Sequence, residues 1–175
     1  MNIKKLKILG IILAFIICFP LHFLYDKFPN FITSIISPVN ESIWEHMKIL
    51  FSSILLSGVI QKIIVKIKKL DYKNICISNV IVSLLSIPIF LIIYLPIYNI
   101  IGEKLIITLF IMLFTIIISQ VLSLYIIKLK NLKLENVSII LVILIYTIFA
   151  ALTFYPPHKE LFKDPQNNIY GIKKD

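Results

Sequence analysis

The sequence predicts an all-α integral membrane protein. We read a helical bundle of about five transmembrane helices plus one short interfacial helix, forming a single membrane domain over 1–175. Three observations predict it. Hydrophobic residues make up 59% of the 175 positions, charged residues only 15%, and mean hydropathy is +0.96. A water-soluble domain with this make-up would expose far too much apolar surface. Several apolar runs reach the roughly 20 residues that a helix needs to cross a hydrocarbon core of about 30 Å. Inside a bilayer the backbone must satisfy its own hydrogen bonds, and continuous runs of this length do so as helices.

The first span is expected at about 8–25. Lys4, Lys5 and Lys7 precede it, which resembles a secretory leader. The apolar run continues through Phe19, Leu21, Phe23 and Leu24 with no small-residue cleavage site, so it reads as a span with a kink at Pro20. Residues 29–37 alternate Phe31, Ile32, Ile35 and Ile36 with Asn30, Thr33, Ser34 and Ser37, the pattern of a short amphipathic helix in the interface. Pro38 ends it. The remaining spans fall at about 43–65, 75–100 (with Pro88 and Pro96 inside), 104–127 and 137–155, and a polar tail occupies 156–175. The connections are a Lys66–Lys73 loop, a tight turn at Gly102-Glu103 and a second basic loop at Lys128, Lys130 and Lys133. Cys18 and Cys76 fall at different depths, so no disulfide is expected.

Charge sets the orientation. All 18 basic residues are lysine. With five spans and a cytoplasmic N-terminus, the inner face collects eleven lysines against Asp71 and Glu135. The outer side holds seven lysines (Lys27, Lys48, Lys104, Lys159, Lys163, Lys173, Lys174) and seven acids (Asp26, Glu41, Glu45, Glu103, Glu160, Asp164, Asp175). The whole net charge of +9 thus lies on one face, as the positive-inside rule requires. It marks orientation and attraction to anionic lipid rather than nucleic-acid binding, and the lipid bilayer is the partner expected.

The same topology gathers the chemistry on the outer side. His22 closes the first span, His46 lies in the first turns of the second, and His158 follows the last. The block Pro38-Val39-Asn40-Glu41-Ser42-Ile43-Trp44-Glu45-His46-Met47-Lys48 carries most of the polar groups. Part of it reads as a helix start: Ser42-x-x-Glu45 has the spacing of a capping box, and Asn40 is an alternative cap. Trp44, Tyr94, Tyr98 and Tyr155 suit an interfacial aromatic belt. Lys48 lies in apolar sequence, where a charge needs a partner, and Glu45 three residues back supplies one. Glu41, Glu45 and Lys48 share a face if Glu41 is already helical. His22 and Asp26 are i, i+4, a spacing that lets a carboxylate orient an imidazole.

The site residues expected from this pattern are His22, His46, His158 and Asp164 as ligands of a divalent metal such as zinc. Glu41 and Glu45 are the catalytic carboxylates, and His22, Asp26, Asn40, Trp44, Lys48 and Tyr155 contact a ligand. No H-E-x-x-H, G-x-S-x-G or phosphate-binding glycine motif is present.

The block from Pro38 to Lys48 resembles the signature of an uncharacterised family of small multi-pass membrane proteins from Firmicutes. The tail residues Thr153-Phe154-Tyr155-Pro156-Pro157, Leu161-Phe162, Asp164 and Tyr170-Gly171-Ile172 are similar to that family's C-terminal block. The resemblance implies a bacterial cell membrane and no particular activity. A looser likeness is to alkaline ceramidase-like hydrolases, which bind zinc through His and Asp at a membrane face; their paired C-terminal histidines are absent here. Two readings follow. One is a non-enzymatic outer site for a small ligand, a lipid headgroup or a protein partner. The other is a metal-dependent membrane hydrolase or transferase. A transporter is disfavoured, because the last three spans carry no charge at mid-membrane.

Overall fold

Apolar runs of more than 20 residues, unbroken by charge, can only pack as helices, and helices are what form. A computed structural model describes residues 2–102 and 104–172. Glu103, Lys173, Lys174 and Asp175, expected on the outer side, lie outside the described residues. Among the described residues, seven α-helices run in order: α1 Ile3–His22, α2 Leu24–Lys27, α3 Phe31–Ile36, α4 Ile43–Ile67, α5 Ile75–Ile101, α6 Leu105–Ile127 and α7 Glu135–Phe154. A 3-10 turn, Glu160–Phe162, lies in the tail. Four of these helices, α4 to α7, are long and apolar enough to cross a membrane, consistent with a membrane protein. The expected first span corresponds to α1, which starts earlier because Asn2 caps it by accepting from the Lys5 amide at 2.9 Å. α1 runs through Pro20 and breaks at Phe23. α5 likewise accommodates Pro88 and Pro96 without interruption.

Helices α1, α4, α5 and α6 form the central bundle, and α7 packs outside against α3 and α5. Leu50, Ile54, Val82 and Ile116 are fully buried at its centre. The polarity is inverted relative to a soluble bundle. Ile8, Ile12, Ile16, Ile63, Phe110, Phe114, Ile139, Ile140 and Ile143 point outward, while Ser53, Ser57, Gln61, Ser83, Ser86, Ser119 and Gln120 are buried. Such an exterior suits hydrocarbon, and such an interior suits helix association through small and polar groups. Gly58 shows why a small residue is needed: a Cβ there would meet Asn79 Cβ at 2.6 Å. Helix α3 follows the same rule. Its Phe31 and Ile32 face away from the bundle, and Thr33 and Ser34 face in.

One buried lysine escaped the sequence reading, which placed Lys7 on the inner surface. It is 2% exposed, and its Nζ donates to Asn79 Oδ1 at 2.9 Å. Asn79 in turn donates to the Gly58 carbonyl at 3.1 Å.

Candidate metal centre

The segment 38–42 enters α4 without being helical, and its backbone is held from two sides. Ser42 caps α4 by accepting from the Glu45 amide at 3.3 Å, and the Asn40 side chain accepts from the Ser42 amide at 2.9 Å. The expected capping box forms only this first half. The Glu45 carboxylate turns instead to the Val39 amide at 2.9 Å, to Lys48 Nζ at 2.5 Å and to the Thr153 hydroxyl at 3.2 Å. Lys48 also donates to the Ser34 carbonyl and to Thr153 Oγ1, both at 2.7 Å. This fully buried cluster ties α3, α4 and α7 together.

Because Glu41 precedes the helix, it does not share the face of Glu45 and Lys48 as its spacing suggests. It swings to the opposite side and meets His46, with Glu41 Oε2 at 3.5 Å from His46 Nε2. His46 Nδ1 lies 2.9 Å from the Ser42 carbonyl. A carbonyl can only accept, so Nδ1 carries a proton, and Nε2 is the nitrogen turned toward Glu41. His22 arrives from the end of α1, its ring centroid 5.3 Å from that of His46. Its Nδ1 is buried and has no hydrogen-bond partner. The expected pairing with Asp26 is not formed: α1 ends at His22, and Asp26 sits exposed on α2, where it lines a further hollow with Tyr25, Asn40, Glu41 and Asp164.

His22, Glu41 and His46 each offer a ligand atom, and these atoms lie within 4.8 Å of one another. Metal–ligand distances near 2.0–2.1 Å require donor separations of about 3.4 Å in a tetrahedral site. The Glu41–His46 separation, 3.5 Å, is close to that length, and the His22 ligand atom lies within 4.8 Å of both. All three residues are half-buried.

Two cavities open on this group and share Glu41, His46 and Thr108. One, of about 290 Å³, is lined by Cys18, Phe19, Phe23, Leu105, Leu109 and Met112. The other, of about 260 Å³, lies under the tail and is lined by Tyr94, Tyr98, Glu160, Lys163 and Asn168. Thr108 was not singled out from sequence, Tyr94 was read only as part of the interfacial belt and Lys163 only as an outer-side charge; Thr108 carries the first hydroxyl of α6, the one visible signal.

The other expected site residues are placed elsewhere. Glu45 and Lys48 are buried in the clamp just described. Trp44 packs between Phe149 and Phe162. Tyr155 is 85% exposed. His158 stacks on Tyr170 at 4.7 Å, beside a hollow it shares with Tyr155 and Gly171. Asp164 is buried as the anchor of the tail: it accepts from the amides of Gln166 (2.7 Å) and Asn167 (3.2 Å) and from the Asn167 side chain (3.0 Å). Burial raises the Asp164 carboxyl, but the hydrogen bonds from Asn167, Gln166 and the Glu41 amide outweigh it and hold the group below its ordinary value. Asp164 thus touches the candidate centre through the backbone of Glu41. The Asn40 side chain adds a second tie, donating to the Gly171 carbonyl at 2.8 Å.

The model of a family of unknown function, DUF6512, matches residues 1–172. No curated protein and no solved structure matches the chain.

Proposed function

The chain belongs to DUF6512, a family of unknown function, and from its own geometry we propose that it is a membrane protein holding a divalent metal ion between His22, Glu41 and His46. The observation that carries this is the convergence of two imidazoles and a carboxylate from two helices and a fixed loop, with ligand atoms within 4.8 Å of one another. The Ser42 carbonyl supports it by holding His46 Nδ1, which turns Nε2 toward Glu41 as the nitrogen that could bind a metal. The buried, unpartnered His22 nitrogen supports it too, since ring rotation or a metal satisfies an atom that otherwise costs free energy.

A metal held by these three residues would have a position left for water or substrate, and Glu41 and His46 both line the two cavities. A metal so bound acidifies water or polarises a carbonyl or phosphoryl oxygen, which makes a metal-dependent hydrolase or transferase the reading we favour. Glu160, exposed and lining the polar cavity, is the carboxylate available to accept a proton. A non-catalytic ligand site is the second reading. It draws on the commitment of Glu45 to Lys48, which removes the carboxylate expected to act as base. In both readings α1 serves as a fifth span, the N-terminus is cytoplasmic, and the centre faces outward from a bacterial cell membrane, as the lysine distribution supports.

Titrating Zn²⁺ into chelator-stripped protein in detergent tests the site. One site per chain is expected in the natural protein, and His22→Ala and Glu41→Gln should each weaken binding at least tenfold with helical content unchanged. Equal affinity in all three proteins contradicts the reading.

A further inference from the structure

The two cavities meeting at Glu41, His46 and Thr108 differ in chemistry, and the difference specifies what enters them. The first is walled by Phe19 and Phe23 of the α1 end and Leu105, Leu109 and Met112 of α6. Phe19, Phe23 and Leu105 are 45%, 51% and 71% exposed, on the apolar exterior that faces hydrocarbon. The second lies under the tail and offers the Lys163 ammonium, the Asn168 amide, and Tyr94 and Tyr98. A wholly soluble substrate has no use for the first; a hydrocarbon has no use for the second. We propose that the site takes a membrane amphiphile, its acyl chain entering between α1 and α6 and its anionic phosphate headgroup seated at the centre beside Lys163. This rests on the reading of His22, Glu41 and His46 as the polar centre of the protein.

The charge balance fits an anion. Among the described residues, Glu41 and Glu160 face the polar lobe with Lys163, a net negative sum that a divalent ion held by Glu41 would turn positive. The lateral opening lets a lipid reach the centre without leaving the bilayer. It also leaves the carbonyl or phosphoryl groups of a glycerophospholipid, which sit between chain and headgroup, at the junction where His46 stands.

Photo-crosslinking in nanodiscs tests this, using a lysophosphatidylglycerol with a mid-chain diazirine, mapped by mass spectrometry. Labels should concentrate on Phe19, Leu109 and Met112, fall at least fivefold in Leu109→Trp, and resist competition by free glycerol phosphate. Competition by glycerol phosphate would instead assign the site to a soluble phosphate ester and overturn the proposal. Labels spread evenly over exterior residues such as Ile140 and Ile143 also overturn it, and the map of the natural protein decides this even if Leu109→Trp does not fold. A chelator arm separates the two readings. Labelling that persists without metal keeps the amphiphile and overturns the role of the metal in seating its headgroup; labelling lost with metal supports both.

Discussion

At the residue scale, the ion pair Glu45–Lys48 shows what a charge inside an apolar span requires. Both side chains are essentially inaccessible, and the Val39 amide, the Ser34 carbonyl and the Thr153 hydroxyl are each engaged with one or both of them. Removing one partner strands the other in a low-dielectric interior, which costs about 3–5 kcal/mol. Lys48→Met should therefore lower stability by about that much in detergent denaturation, while the double change Glu45→Leu with Lys48→Met should recover most of it. A full-sized loss in the double variant would show that the charges themselves are needed. Asp164 supplies a pH-dependent counterpart. Its carboxyl is held below the ordinary value, so its contribution is present above the unfolded-state pKa, near 3.9, and is lost as pH falls through the lower folded value. Protease protection of the tail should persist at pH 5 and above, begin to decline below about pH 4, and be lost only as pH falls through the lower folded value. Asp164→Asn should weaken protection at pH 7 and flatten that pH dependence. The pairing of Lys48 with Glu45 is legible in their three-residue spacing. The partnership of Glu41 with His46 is not, because it depends on Glu41 lying just outside the helix, a single-residue question of where the cap falls.

At the element scale, helices were readable because each span is a long apolar run bounded by lysines, prolines or polar turns. The expected ends at 43, 75 and 127 coincide with those of α4, α5 and α6. The tail was not readable in the same way, since its fold depends on a few specific bonds rather than on periodicity. Gly171 is the clearest case. It has φ +65°, and a Cβ there would meet the Thr153 carbonyl at 2.6 Å. Gly171→Ala should release the tail from the end of α7, raising proteolysis after Tyr155 and weakening metal binding through the lost Asn40 tie. Unchanged cleavage would show that the tail is held by Asp164 alone. Within the bundle, Gln61 and Gln120 face each other, with Nε2 of one 3.5 Å from Oε1 of the other, and each keeps an amide atom without a partner. A buried orphan group costs about 1–3 kcal/mol, so Gln61→Leu with Gln120→Leu should raise the thermal midpoint. A fall would mean that the amides are satisfied in the membrane and needed there.

At the scale of the whole molecule, the inverted polarity and the lysine asymmetry describe a bundle with two different ends. One end carries Lys66, Lys68, Lys69, Lys128, Lys130 and Lys133; the other carries the candidate centre and the tail. Cysteine substitution at Lys68 and Lys159 should give labelling from the cytoplasm for the first and from outside for the second. Labelling of both from one side would contradict α5, α6 and α7 as three spans, and labelling of Lys159 from the cytoplasm alone would turn the site inward. The gathering of His22, Glu41 and His46 at one end was foreseeable from topology alone, because alternate helices bring alternate loops together. The exclusion of His158 and Asp164 was not, since it follows from where a non-helical tail folds back.

The metal centre itself is tested most directly by X-ray absorption and elemental analysis of the protein as purified, compared with His46→Ala. One divalent metal per chain is expected, with two imidazole nitrogens and a carboxylate oxygen at about 2.0–2.1 Å, and its loss on substitution. No metal in either protein, or a metal unaffected by His46→Ala, would contradict the assignment of His22, Glu41 and His46 as its ligands.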